Sequence, residues 1–440
     1  MALTGLQIYK LLPQTNCKEC KFPTCLAFAM KLAAKQAELA ACPYVSESAR
    51  EQLDAAAQPP IRLITLSSDS HKVEVGNEIV LFRHEKTFQH PAGLFVRIRD
   101  DQPLDEIAAL VRRVADYQVE YVGLNLRLDG LALDNASGNE ATFLDALDTI
   151  RQGTPIPLIL ISSQVQTVER ALEKLKGTVP LLYAAEAGTL NAWVEVAKKF
   201  QAPLALRAPD LNTLAEMATN AKQAGLNNLV LDPLTRGYAD SLQTFTQLRR
   251  LAIKKNNRAL GYPLIAFPGA DTALAAQAIA KYAGFVVLDR FDEASAYVLL
   301  VLRQNLYTDP QKPIQVQPGL YPINNPNGDS PVLATTNFSI TYFSVRNEVE
   351  GAGLPAWLLI ADAEGMSVLT AWAAGKFDAD RIAKAVNSTG VAAQLSRKRL
   401  ILPGHVAVLM GEVEEALPGW QIEVGPREAV DLPGFLKVRA

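Results

Sequence analysis

The sequence predicts an α/β protein of three consecutive units: a small cysteine-bearing module, a central (β/α)8 TIM barrel, and a carboxy-terminal open α/β sheet of Rossmann-like type. Three observations carry this. All four cysteines of the 440 residues, Cys17, Cys20, Cys25 and Cys42, lie in the first tenth of the chain. Eight short, β-rich apolar runs then recur, each followed by a segment of helical periodicity. From about residue 309 a Pro/Gly-rich stretch interrupts the pattern, and a shorter alternation of strands and helices follows it.

A chain of this length exceeds the size at which a single core stops growing, so several domains are expected. An apolar share of 49% is ample for packed cores, and a net charge of −3 with no Lys/Arg block argues against nucleic acid as a partner. No apolar run approaches the ~20 residues that span a bilayer. The start, "MALTGLQIYKLLPQ", lacks the pattern of a secretory signal. The expectation is a cytoplasmic protein, where thiols stay reduced and clustered cysteines more often bind metal than pair.

The first unit, residues 1–57, is built on C-x2-C-x4-C-x16-C. An unbroken helix from Cys25 to Cys42 would hold its ends ~25 Å apart, so the chain must fold back. The pattern predicts a helix over "TCLAFAMKLAA", a turn near Lys35 to Ala37, and a short return through "ELAAC" that stops at Pro43. Three thiolates from one loop and a fourth from a hairpin, followed by Pro, suit a cuboidal iron–sulfur cluster. Structural zinc is the alternative; it favours two C-x2-C pairs or His mixtures, and here there is one such pair with no His nearby.

"AAAQPP" (55–60) reads as a linker to the second unit, 58–310. Its eight predicted strands are 94–98, 121–126, 157–162, 180–184, 203–207, 228–232, 263–267 and 285–289. Near-continuous apolar strands alternating with helices match a closed barrel. "IRLITL" and "EIVLFRHEKTF" before them would form an extra β element that plugs or flanks it. Barrel chemistry resides in the loops after the strands, which offer Asn125, Arg127, Asp129, Ser162, Ser163, Arg207, Asp210, Asp232, Asp289 and Arg290. Salt-bridged loop residues explain this ring as well as a catalytic site would. His71, His84 and His90 read as structural.

The third unit, 311–440, starts with an arm through 331 that reads as a linker and plausible hinge. Strands are predicted at 337–345, 356–362, 399–403 and 420–424, with helices over "SVLTAWAAGKF" and "HVAVLMGEVEEAL". Ligands of such sheets sit beyond the carboxyl ends of the strands. On the first strand, alternation puts Asn337, Ser339 and Thr341 on one face. Thr370 with Ala371, Ala373, Ala374 and Gly375 gives a helix a nearly flat flank for a large planar ligand. "LPGHV" and "VGPRE" are strand-to-turn joints with Gly placed for exposed amides. An ordinary small α/β domain would also account for these features.

The cysteine motif, "GNEIVLFRHEKTFQHP", "TTNFSITYFSVRNEVEG", "SVLTAWAAGKF", "PGHVAVLMGEVEE" and "VGPREA" together resemble the large (gamma) subunit of the corrinoid iron–sulfur protein of the acetyl-CoA decarbonylase/synthase system. The resemblance runs the length of the chain. It implies a 4Fe-4S cluster on Cys17, Cys20, Cys25 and Cys42, a central barrel, and a carboxy-terminal domain holding a cobamide. It also implies a methyl carrier rather than a stand-alone enzyme. The methyl group would come from methyltetrahydrofolate or a related pterin on a separate methyltransferase and go to acetyl-CoA synthase. A smaller barrel subunit would be the obligate partner and a reductive activator a further one.

Within that resemblance the cluster would return Co(II) to Co(I). The D-x-H-x-x-G signature of His-ligated cobalt is absent, and His405 is read as a backbone or edge contact to the corrin. Thr370 is expected nearest the reactive face, with Asn337, Thr341, Ala371, Trp372, Ala373, Gly404 and Gly425 at the corrin rim. Two other classes remain: a self-contained pterin methyltransferase using Asn125, Asp210 and Asp232, and an electron-transfer adaptor without cobamide.

Overall fold

The computed structural model describes residues 4–34, 36–50, 53, 58–309 and 313–438. Lys35 of the expected turn, residues 55–57 of the expected linker and 310–312 of the arm lie outside the described residues. The chain forms two compact units, 1–119 with 127–307 and 120–126 with 308–440.

In the first unit, the helices Gly5–Leu11 and Cys25–Ala33 open the chain. Thr4 and Gln7 form a reciprocal capping box on the first, and the Thr24 hydroxyl accepts the Ala27 amide on the second. The segment expected as the return forms the 3-10 turn Leu39–Ala41. This returns Cys42 to a buried cluster with Cys20, Cys25, Ile8, Phe28 and Val45.

Strands β1 (Ile64–Ser67) and β2 (Lys72–Val75) form an antiparallel hairpin with Ile64 opposite Val75. Ile64, Leu66, Val73 and Val75 enter the same core as the inward-facing barrel residues Phe95, Phe285 and Val287, so the hairpin is the plug. Glycines make the room. A Cβ on Gly93 would meet Val73 Cγ1 at 3.1 Å, and one on Gly284 would meet Val75 at 3.4 Å. The segment 78–88, expected to share this β element, contains no strand. Buried Glu78 instead accepts the amides of Gln89 and His90 and pairs with Arg249 at 3.0 Å, which clamps the segment as a loop.

The barrel closes through β3 (Gly93–Arg99), β6 (Gly130–Asp134), β7 (Leu158–Ile161), β8 (Leu181–Ala185), β9 (Leu204–Arg207), β10 (Leu229–Asp232), β11 (Leu264–Gly269) and β12 (Ala283–Leu288), all parallel. One expected strand is replaced. Residues 121–126 lie in a separate hairpin, β4 (Gln118–Tyr121) and β5 (Leu124–Arg127), and "GLALD" (130–134) takes the barrel position. The reason is the Val122–Gly123 turn: both residues take positive φ, as a two-residue hairpin turn requires, without the Asn-Gly signature.

The second unit holds a five-stranded sheet in the order β13-β15-β14-β16-β17. Its strands are β13 (Gly319–Ile323), β14 (Val332–Thr336), β15 (Ala356–Ala361), β16 (Arg399–Leu402) and β17 (Gln421–Val424). Only β13 runs antiparallel, alongside β15. Two expectations are corrected here. Most of 337–345 lies in the helix Ser339–Gly351, and the strand is instead the preceding "VLATT", between the expected arm and the expected strand. Aromatic and β-branched residues favour a strand locally, but Tyr342 and Val349, one helical face two turns apart, are both buried against Leu333 and Leu358. The face shared by Asn337, Ser339 and Thr341 therefore does not exist. The arm is likewise part of the sheet, since β13 pairs with β15 over five residues.

Candidate functional site

The sheet reverses direction between β14 and β16: from β14 the chain moves to β15 on one side, then crosses to β16 on the other. Such a switch point opens a crevice at the carboxyl ends of the strands. Here the opening is pronounced. β14 pairs with β15 along its full length, but with β16 only at Val332 and Leu333. Beyond that point the two strands part around a cleft of about 300 Å³.

The cleft wall combines apolar and hydroxyl groups. Leu333, Ala334 and Thr335 come from β14, Ile340, Thr341 and Ser344 from the following helix, Ser367 to Leu369 from the short helix Val368–Ala373, and Pro403, His405 and Gly425 to Glu428 from the last two loops. Buried polar groups ordinarily find partners. The Thr335 hydroxyl does not, nor do those of Thr336 and Ser339 at the same strand-to-helix corner, although each residue is at most 2% exposed. An apolar slot with buried unpartnered hydroxyls fits a large organic ligand that carries its own polar groups.

The expected site residues separate into three groups. Thr341 and Gly425 line the cleft, and exposed Thr370 sits at its rim, 3.0 Å from the Ser367 hydroxyl. Trp372 and Ala373 are exposed on the same short helix, but Ala371 is fully buried in the core beneath it, so the flat flank lacks that residue. Asn337 faces the interior and its amide is saturated: Oδ1 accepts from Ala363 and Gly365, both at 2.9 Å, and Nδ2 donates to Asp362 and Gln315, both at 3.2 Å.

Gly404 and Gly425 do not present free amides. Gly404 N–H donates to Pro426 O at 2.9 Å and Gly425 N–H to Leu402 O at 2.8 Å, because the two loops close on each other. His405 lies at the rim with Nε2 3.6 Å from Glu428. Sequence reading missed Thr335, Ser367 and Arg427. Thr335 had a usable signal, the strand pattern of "VLATT", obscured by the proline-rich stretch that ends at Pro331.

The barrel mouth is largely self-paired. Asp232, fully buried, accepts from Tyr183 at 2.5 Å, from both Arg236 terminal nitrogens at 3.0 and 2.7 Å, and from the Leu234 amide. Arg207 pairs with Glu186, and Asp210 caps the helix Leu211–Gln223. Ser162 accepts from Asn135 and the Gln164 amide, Ser163 is exposed, and Arg97 bridges to Asp289 at 2.9 Å. Arg290 is exposed beside Asp289. Burial raises the Asp134 carboxyl above its usual range, with Arg97 opposing in part. Asn125 and Arg127 belong to the β4–β5 hairpin, and Asp129 precedes β6 at the barrel's amino end, where it accepts the Leu94 amide and pairs with Arg303. Of the expected pterin set, Asp210 is engaged as a helix cap and Asp232 in an ion pair, and Asn125 belongs to a hairpin rather than to a barrel strand.

The cysteine loop is shaped by left-handed residues. Gln14, Asn16, Lys18 and Lys21 all take positive φ, and Asn16 Oδ1 accepts the Cys25 amide at 2.8 Å. Cys17 is exposed, while Cys20, Cys25 and Cys42 are buried. Burial raises the Cys42 thiol most; the charges of Cys20, Cys25 and Cys17 add to this against a backbone hydrogen bond from Tyr44. Cys42 is thus within electrostatic reach of the other three thiols. Among the described residues no three potential ligands are close enough to hold a single metal ion. A donor set of four thiols alone is soft and suits iron–sulfur or zinc.

A family model described as the CO dehydrogenase/acetyl-CoA synthase delta subunit matches residues 63–436, and one for an Fe-S cluster matches residues 12–44. The corrinoid/iron-sulfur protein large subunit of Moorella thermoacetica is 42% identical over 442 residues, covering 99% of each chain. The acetyl-CoA decarbonylase/synthase complex subunit gamma is 33% identical in Methanothermobacter thermautotrophicus, over 99% of each chain. Its counterpart in Archaeoglobus fulgidus is 33% identical over 98% of this chain and 97% of that one.

Proposed function

The chain belongs to the family of corrinoid/iron–sulfur protein large subunits of the acetyl-CoA decarbonylase/synthase system, and from that premise we propose that it carries a methyl group on the cobalt of a bound cobamide. One observation supports this above the others: the parted β14 and β16 enclose a roomy, hydroxyl-lined cleft beside the short helix that ends in exposed Thr370, Trp372 and Ala373.

When bound, the cobamide supplies a cobalt centre that accepts a methyl cation in its Co(I) state and yields it to an acceptor. The chain's part is to hold and shield. Leu333, Ile340 and Leu369 would exclude water from the cleft, while Thr335 and Thr341 would meet polar groups of the ligand. Thr370 would stand at the ring, small enough to leave the cobalt accessible. The one histidine lining the cleft, His405, has Nε2 3.6 Å from Glu428 and would meet the edge of the corrin.

Cys17, Cys20, Cys25 and Cys42 would hold a 4Fe-4S cluster that supplies single electrons for reactivation. A cubane carries a thiolate at each iron, so its ligands need not meet at one point, as they do not here. The fitting partners are a small barrel subunit, a methyltetrahydrofolate methyltransferase, acetyl-CoA synthase and a reductive activator. The setting would be the cytoplasm, where thiols stay reduced. Among the described residues no helix is long and apolar enough to cross a membrane.

The test is anaerobic metal analysis with an absorption spectrum of the chain co-expressed with its small partner. Cobalt with about four irons per chain is the expected result. Iron without cobalt after reconstitution with cobamide would leave an electron-transfer adaptor.

A further inference from the structure

Asn337 has every hydrogen-bonding position of its amide occupied, which a residue poised to bind a ligand would not. Its four partners show what it does instead. Two are the amides of Ala363 and Gly365, one is the Asp362 carboxylate, and the fourth is the Gln315 side chain. The Asp362–Gly365 turn needs such support. Glu364 takes a φ of +56° and Gly365 one of +74°, two left-handed residues in succession, the first of them not glycine. Asp362 also accepts the Glu364 amide at 3.1 Å, and Lys376 pairs with Glu364 at 2.6 Å.

The turn leads directly to the short helix. Met366 N–H donates to Ala363 O, and Ala371 N–H to Ser367 O at 2.8 Å, so the position of the turn fixes the first residues of Val368–Ala373. Ser367 and Thr370 lie within that stretch, their hydroxyls 3.0 Å apart. On its other side, Asn337 is tied to the arm. Val316 N–H donates to Asn337 O at 2.9 Å and Ser339 N–H to Ile314 O at 3.1 Å, while a Cβ on Gly365 would meet Gln315 Cγ at 2.6 Å.

We propose that Asn337 is a positioning residue: through the Asp362–Gly365 turn it sets where the Ser367 and Thr370 hydroxyls stand, and through Gln315 it makes that setting depend on the arm. This rests on the reading that Thr370 faces the cobamide. Only a primary amide fills the role. Two acceptances and two donations at one fully buried point require a primary amide, and Asp would lose both donations and place a second carboxylate against Asp362.

The test uses the full chain with Asn337→Ala, Gln315→Ala and Thr370→Ala. In the cobamide-free protein, hydrogen exchange of the peptide 362–372 is expected roughly tenfold faster in Asn337→Ala and several-fold faster in Gln315→Ala, with β14 and β16 as protected as in wild type. In the loaded protein, Asn337→Ala is expected to keep one cobamide per chain while its visible bands shift in the direction set by Thr370→Ala. Unchanged exchange in both variants overturns the proposal, as does a loosened turn with unshifted bands, which marks a merely structural role. If Asn337→Ala fails to fold, Gln315→Ala decides: faster exchange confined to 362–372 supports the proposal, and none overturns it. Wild-type chain that binds no cobamide sinks the functional reading itself, and the assignment to Thr370 with it.

Discussion

A Cβ atom on Gly404 would stand 2.6 Å from the carbonyl oxygen of Gly425, closer than real Cβ contacts come. The neighbouring atoms, Pro426 C at 2.8 Å and Arg427 N at 2.9 Å, are backbone too and cannot swing aside. Gly425 differs, because its nearest neighbour is the Ile401 methyl Cγ2 at 2.9 Å, a side-chain tip. Gly404→Ala is therefore expected to force the two loops apart at a cost of about 1–3 kcal/mol and to reduce bound cobamide, with Gly425→Ala milder on both counts. Thermal unfolding and cobamide per chain check this. Equal effects would mean that the loop contact is soft.

The orphan hydroxyl of Thr335 gives an opposite expectation for the two states of the protein. Replacing it by Val removes an unsatisfied buried group, so the ligand-free chain should be unchanged or about 1 kcal/mol more stable. Cobamide affinity should fall, by about 1 kcal/mol if one hydrogen bond to the ligand is lost. Equilibrium binding beside thermal melts separates the two effects. An affinity equal to wild type would remove Thr335 from the site.

Cys42 returns from the far side of the fold-back, so Cys42→Ala should lose the cluster. Iron per chain and the visible spectrum report this directly. Because metal binding and folding are linked in small modules, iron removal by chelation should expose residues 5–45 to proteolysis while the barrel stays resistant. Intact residues 5–45 after chelation would show a preformed apo module.

Asp134 gives a pH dependence. Its carboxyl is raised by burial, so the folded chain holds that proton more tightly than the unfolded chain, and stability falls as pH rises through the unfolded and then the folded value. Asp134→Asn should match wild type near pH ~3 and melt higher near neutrality, Arg97 retaining Asp289. A gap between the two melting temperatures that narrows as pH rises would contradict this.

Substitution of Asp232 should destabilise the barrel. Removing a fully buried carboxylate strands Arg236 and Tyr183, and Asp232→Ala should cost about 3–5 kcal/mol in denaturant unfolding of the barrel. A loss below about 1 kcal/mol would show that water replaces the carboxylate at the mouth.

Much of this was legible because burial pattern and element agree. Barrel strands such as "PLILIS" and "FVVLD" are buried on both faces, so an unbroken apolar run identifies them without any tertiary knowledge. The cysteine fold-back followed from length alone. The misreadings have local causes. Val122–Gly123 makes a hairpin turn without the residues that announce one, and β13 stands among prolines that read as a linker, with β14 directly after them. Gly425, singled out by small-residue patterning, does line the cleft. The structural duty of Asn337 was not legible, because its partners at 315 and 362–365 lie more than twenty residues away on either side.

The antiparallel strand β13 also governs how the carboxy-terminal unit could be cut out for separate use. A fragment begun at Val332, where the parallel strands start, would strip β15 of its outer neighbour along all five registered residues. That edge, Ala356–Ala361, is short-side-chained or aliphatic apart from Trp357 and carries no charge, the kind of bare border on which chains stack into aggregates. An excised version that keeps β13, begun upstream of Gly319, should stay monodisperse where the shorter one precipitates.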